Sequence, residues 1–143
     1  AYLRMAGRGL PARAPAIFRK LADVTEKRGD ATSARGYLEL VRRAGVEFGP
    51  SNLDKEQKDV FLKSLQKLAT IAEKEGDPIK ADADAADARG DAETRARLDA
   101  QAKPYYEAAI ADLQLYRDSG GGAVLESYRK IAELYAKQRD PLN

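Results

Sequence analysis

The sequence predicts an all-α fold of antiparallel helix–turn–helix repeats. Three observations carry that prediction. Ala, Leu, Glu, Lys, Arg and Gln, the strong helix formers, dominate the chain. Runs alternating Val, Ile and Thr with polar residues, the mark of half-buried strands, are absent. A helical string also recurs three times along the chain. Phe18–Ala31 reads FRKLADVTEKRGDA, Leu65–Pro78 reads LQKLATIAEKEGDP and Tyr128–Pro141 reads YRKIAELYAKQRDP.

The elements follow in order. Residues 1–7 read as the tail of a preceding helix, ended by Gly7-Arg8-Gly9, with Pro11 and Pro15 bounding a connector. From Ala16 the apolar positions Ile17, Phe18, Leu21, Ala22, Val24 and Thr25 form one broad face of a helix ending at Gly29. A second helix is expected from Ala31 to Ala44, with Ala34, Tyr37, Leu38 and Val41 inward, closed by Gly45 and Gly49-Pro50. Ser51 or Asn52 would cap the third, which carries Leu53, Val60, Phe61, Leu65, Leu68, Ala69 and Ala72 and stops at Gly76. Asp77-Pro78 would start a fourth, since Asp suits the N-cap and Pro the first helical position. A further helix starts at Asp91, and Pro104 either kinks it or begins a new one. Ser119 to Gly122 is a break, and a last helix runs from about Ala123 to Gln138.

The triplet Arg-Gly-Asp occurs at Arg28-Gly29-Asp30 and again at Arg89-Gly90-Asp91. It reads as punctuation. Gly accepts the left-handed conformation at a helix end, and Asp accepts backbone N–H groups at the next helix start. Gly76-Asp77 is expected to be a third copy of this turn.

Composition narrows the function. The chain has 143 residues, 43% apolar and 34% charged, with a net charge of only +2, so charges of both signs share its surface. There is no block of like charge for nucleic acid or an acidic membrane, and no apolar run long enough to span a bilayer. The count of Cys is 0 and of His is 0. These zeros remove the thiolate nucleophile, the Cys-based metal site, the commonest general base and the commonest zinc ligand. No cofactor or metal is expected. Asp82, Asp84, Asp87 and Asp91 lack the Gly that a calcium loop needs at its sixth position, which here is Asp87. Gly120-Gly121-Gly122 lacks the preceding strand and the Lys-Ser or Lys-Thr of a phosphate loop. Tyr105, Tyr106, Tyr116, Tyr128 and Tyr135 are read as packing between helices. Catalysis is not expected.

The repeated string resembles the tetratricopeptide repeat family, through Phe18, Leu21, Ala22, Gly29, Asp30, Ala34 and Leu38, with Val41 at the last small position. A second unit matches at Leu65, Leu68, Ala69, Ala72, Gly76, Asp77, Ala81 and Ala88, and a third at Tyr128, Ile131, Ala132, Tyr135 and Asp140. The resemblance implies one domain over residues 1–143, a short right-handed solenoid with approximate units 14–50, 53–118 and 122–143. The steps of 47 and 63 residues between copies depart from the family's regular short step, so extra helices are expected between them.

The resemblance further implies a concave groove that receives a peptide or helix of a partner protein. By the family's pattern the groove residues are Arg19, Asp23 and Glu26, then Lys63, Gln66, Thr70 and Glu73, then Glu126, Arg129 and Glu133. One subgroup grips a C-terminal carboxylate with Asn at positions that here read Asp23, Thr70 and Glu133; acids there would repel a carboxylate. A partner of mixed charge is expected instead. The alternative is a structural spacer or oligomerisation segment of a larger protein, with homodimerisation through an exposed last helix. Ala1-Tyr2-Leu3 and Asp140-Pro141 read as cuts in a longer array.

Overall fold

The computed structural model describes residues 13–138. Within them lie five α-helices and one short 3-10 turn, with no strand. The helices are α1 (Ala14–Lys27), α2 (Ala31–Phe48), α3 (Lys55–Ala88), α4 (Ala92–Asp118) and α5 (Val124–Lys137). The expected helix tail over residues 1–7 and the Asp140-Pro141 step lie outside the described residues. Two compact units emerge, one up to Leu68 and one from Ala69 onward.

The first unit holds α1, α2 and the opening turns of α3. Pro15 sits in the first turn of α1, where its missing N–H is no loss. That end of α1 has no cap of its own. Gln57 of α3, almost wholly buried, supplies one: its Oε1 accepts the Ala16 N–H at 3.0 Å. The α1–α2 connection is a Schellman turn followed by an N-cap. Asp30 N–H donates to the Thr25 carbonyl at 2.9 Å and Gly29 N–H to Glu26 at 3.0 Å, with Gly29 at φ 79°. The Asp30 carboxylate then accepts the Ser33 N–H at 3.0 Å. Hydrogen bonds from Ser33 hold its pKa below the ordinary carboxylate value. The core of this hairpin is Ala14, Phe18, Val41 and Ala44, with Tyr37, Leu40 and Val60 packed on it.

Two expectations fail here. Gly45 does not end α2, which runs on to Phe48. Instead Gly45 is buried, and a Cβ there would lie 2.2 Å from the Phe61 ring, so the missing side chain is the space that ring occupies. Neither Ser51 nor Asn52 caps α3. The 3-10 turn Pro50–Asn52 delays the start, and Asp54 takes the role, accepting the Gln57 N–H at 2.8 Å.

The second unit holds the rest of α3 with α4 and α5. Its core is made of Ala69, Ala72, Ala102, Tyr106, Ala109, Ile110, Leu113, Ile131 and Leu134. The largest correction is at Gly76-Asp77-Pro78, which is no turn: α3 passes through it without a break and ends only at Ala88. Pro104 likewise lies inside α4 and starts no new helix. The expected turn device does return at Gly90-Asp91, with the hydrogen bonds of the first copy and Thr94 N–H on Asp91 at 3.1 Å. A third Schellman turn ends α4 at Ser119-Gly120-Gly121, with Gly121 N–H on the Tyr116 carbonyl at 2.8 Å.

The three repeated strings are also packed differently. In the second, Leu65, Leu68 and Ala69 are all buried. In the first, Phe18 and Ala22 are buried but Leu21 is exposed. At the same three positions of the third, Ile131 is buried, while Tyr128 and Ala132 face solvent.

Candidate functional site

Two features of the second unit concentrate chemistry: a polar clamp that holds α5, and the outer face of α5 itself.

The clamp starts on α3. Glu73 and Asp77 are four residues apart, on one side of the helix. Lys137 of α5 reaches both, donating to Glu73 Oε2 at 2.8 Å and to Asp77 Oδ1 at 2.9 Å. Lys130, two turns earlier on α5, pairs with Glu73 Oε1 at 2.7 Å. Tyr106 of α4 is fully buried and donates its phenol O–H to Asp77 Oδ1 at 2.7 Å. The Lys137 ammonium also stands 5.5 Å from the centre of the Tyr106 ring. Burial alone would raise the carboxyl pKa values of Glu73 and Asp77. Hydrogen bonds from the two lysines to Glu73, and from Lys137 and Tyr106 to Asp77, outweigh burial and hold both below the ordinary range. Burial would lower Lys137; its bonds to Glu73 and Asp77 outweigh that and raise it. Burial, then the bond to Asp77, pushes the Tyr106 phenol well above its ordinary value.

Every charge in this clamp faces an opposite charge. That arrangement holds two helices together. Gly76 completes it, because a Cβ there would lie 3.1 Å from the Tyr106 ring, so glycine lets α4 come close. In the sequence alone Gly76-Asp77 looks like punctuation, since partners 29 and 60 residues away leave no local trace.

The apolar surface of α5 is wider than its socket. Ser127, Ile131 and Leu134 are buried. Burying the two aliphatic side chains contributes about 1.5–3 kcal/mol each. Leu125, Tyr128, Ala132 and Tyr135, spaced 3, 4 and 3 apart, form a second stripe beside them that stays in water. Leu125 is 73% exposed, Tyr128 53% and Tyr135 54%. The Arg117 guanidinium lies over the Tyr128 ring at 4.8 Å from its centre. Tyr128 and Tyr135, expected to pack between helices, are instead more than half exposed, while Ile131 belongs to the core.

The sequence-derived groove residues divide between the two units. In the first, Arg19 pairs with Asp23 at 3.2 Å and donates to the buried Ser64 hydroxyl at 3.3 Å. Glu26 is ion-paired to Lys67, and Lys63 to Asp59 at 3.0 Å. Gln66 lies exposed. In the second unit Thr70 is exposed, while Glu73, mostly buried, is the centre of the clamp. Glu133 shares Lys130 with Glu73, at 3.6 Å. Glu126 and Arg129 are exposed on α5. The structure therefore brings Glu73 and Glu133 to one lysine and Arg19 to Asp23.

The Asp-rich stretch is likewise engaged. Asp84 pairs with Lys80, Asp87 with Arg95, and Asp91 caps α4. Lys80 and Arg95 also share Asp99, and all three of these side chains are mostly buried. Among the described residues no three or more His, Cys, Asp or Glu converge as metal ligands, and no helix is long and apolar enough to cross a membrane. Comparison with protein-family models, with curated proteins and with solved structures finds no match to this chain.

Proposed function

We propose that this chain is a protein-interaction module, and that α5 receives an amphipathic helix or extended peptide of a partner protein on its outer face. The observation that carries the reading is the stripe Leu125, Tyr128, Ala132 and Tyr135. Two half-exposed tyrosines and a leucine on one meridian of a helix provide large, stiff contact area, and tyrosine is enriched where binding energy concentrates. Ala132 between them lets a partner backbone approach. Glu126, Arg129 and Glu133 of the expected groove lie on the same helix and give the polar surround mixed charge. The clamp supports the reading by fixing α5 from behind, so that little ordering is left to the binding event.

The reading treats α1–α2 as a divergent tetratricopeptide-like unit, supported by its tight Gly29-Asp30 hairpin. A second reading, a structural segment with no separate ligand, is favoured by one observation. Several groove residues, Arg19, Asp23, Glu26, Lys63 and Glu73 among them, are engaged in pairs within the chain.

The test is selection of binders from a displayed library of helical peptides, followed by amide hydrogen exchange of the full chain with each binder. Protection over residues 125–135, lost in the Tyr128→Ser/Tyr135→Ser double variant, supports the module. A library that yields no binder, or binders that protect other helices only, removes it and leaves the structural segment.

A further inference from the structure

A second face, in the first unit, carries a different specificity. On α1 the residues Ile17, Leu21 and Val24 are exposed, spaced 4 and 3 apart, beside the buried Phe18 and Ala22. Three side chains flank that stripe on its open edge: Arg13, Lys20 and Lys27, seven apart, which places them in one row along the helix. All three are exposed. Arg28, at the helix end, continues the apolar meridian with a fourth cation.

Many of the described cations are engaged in ion pairs. Arg19, Arg35, Arg43, Lys63, Lys67, Lys80, Arg95 and Lys103 each hold an acid. Along the α1 row only Arg13 is ion-paired among the described residues, to Glu56 at 3.9 Å, with both side chains well exposed. Lys20, Lys27 and Arg28 have no ion-pair partner among the described residues. Asp23, three residues after Lys20 and four before Lys27, neighbours the row, and Glu26 lies farther round the helix. They are taken by Arg19 and Lys67.

We infer that α1 docks a partner protein's amphipathic helix whose apolar face is bordered by acidic residues. The aliphatic stripe is matched by the partner's apolar face, and the cation row by carboxylates one helical diameter away. A cation row on one edge only suits a helix lying alongside. An anionic bilayer would call for cations on both edges of a wider apolar face. The net positive charge of the rim sets partner choice and association rate. The inference stands on observations separate from α5 and survives if the α5 reading fails.

The experiment uses the full chain and two labelled three-heptad peptides, each with Leu at its apolar positions. One has Glu along both edges of the stripe, the other Lys. Binding is followed by fluorescence anisotropy, with circular dichroism confirming equal helicity of every protein variant. The Glu peptide is expected to bind at least about tenfold more tightly than the Lys peptide, with the preference shrinking in high salt. Lys20→Glu/Lys27→Glu is expected to reverse the preference, and Leu21→Ser to weaken both peptides. Tyr128→Ser/Tyr135→Ser should leave the preference unchanged. Equal affinity for the two peptides, no binding of either, or a preference that persists in the Lys20→Glu/Lys27→Glu variant would overturn the proposal. So would loss in the tyrosine variant, which would move the site to α5. Tighter binding to vesicles containing anionic phospholipid than to the Glu peptide would reassign the row to a membrane surface.

Discussion

The dipeptide Gly-Asp appears at positions 29–30 and 76–77, in the same place of the same repeated string, with opposite results. At Gly29-Asp30 the chain turns, and at Gly76-Asp77 a helix continues. In the first copy glycine is used for its backbone, with φ 79°, and nothing lies near where a Cβ would be. In the second it is used for its size, under the Tyr106 ring. Asp30 accepts a backbone N–H, whereas Asp77 accepts a phenol and an ammonium. Local signals propose a turn; a buried tyrosine and a lysine from other helices decide the matter at the second site.

The strongest way to break this contrast is Tyr106→Ala. It removes the ring over Gly76 and one partner of Asp77, and should cost about 3–5 kcal/mol in a urea titration. Tyr106→Phe keeps the ring and should cost only about 0.5–1.5 kcal/mol. A cost for Tyr106→Ala no larger than that for Tyr106→Phe would deny the ring its role.

Next come the glycines. Gly29→Ala and Gly90→Ala place a side chain in the left-handed region and should each cost about 1–2 kcal/mol. Gly29→Asn should cost less, because Asn tolerates that region. Gly76 has no positive φ, so Gly76→Asn should show no such relief relative to Gly76→Ala.

The aspartates sharpen the comparison further. Asp30→Ala loses an N-cap, at about 1 kcal/mol, and Asp30→Asn should be close to silent, since Asn caps as well as Asp. At position 77 the charge is what Lys137 meets, so there Asn should be no substitute. Equal Asp→Asn costs at the two sites, measured by thermal denaturation, would erase the distinction.

The smallest effect is that of pH. Glu73 and Asp77 are held below their unfolded pKa values, so their stabilisation is present above about pH 4 and lost as pH falls through the folded values. Lys137 is raised, so its contribution is present below about pH 10 and lost as pH rises through its folded value. Asp77 and Lys130 remain well solvated, which limits the total to about 1 kcal/mol. Wild type should lose more thermal stability between pH 5 and pH 3, to that extent, than the Glu73→Gln/Asp77→Asn variant. Parallel curves would show that the clamp contributes nothing.

Much of this fold was legible in the residues. Helix-forming composition, Gly29 and Gly90, and the caps at Asp30 and Asp91 are properties of a few neighbouring residues, and the structure has them as expected. The errors fall where distant residues act. Gly45 and Gly76 look like stops until Phe61 and Tyr106 are placed against them. Nor does anything local to Glu73 announce the two lysines of α5 that pair with it. The width of the apolar band on α5 was readable, but not how much of it the socket covers, because that depends on Ile110 and Leu113 of α4.

The chain has no Trp, so its intrinsic emission comes from tyrosine. A phenol that already donates its proton toward a carboxylate has an easy route out of the excited state. Tyr106, bonded to Asp77, is therefore a dim fluorophore in the folded protein. Its brightening would report the parting of α3 and α4 at that bond without any label.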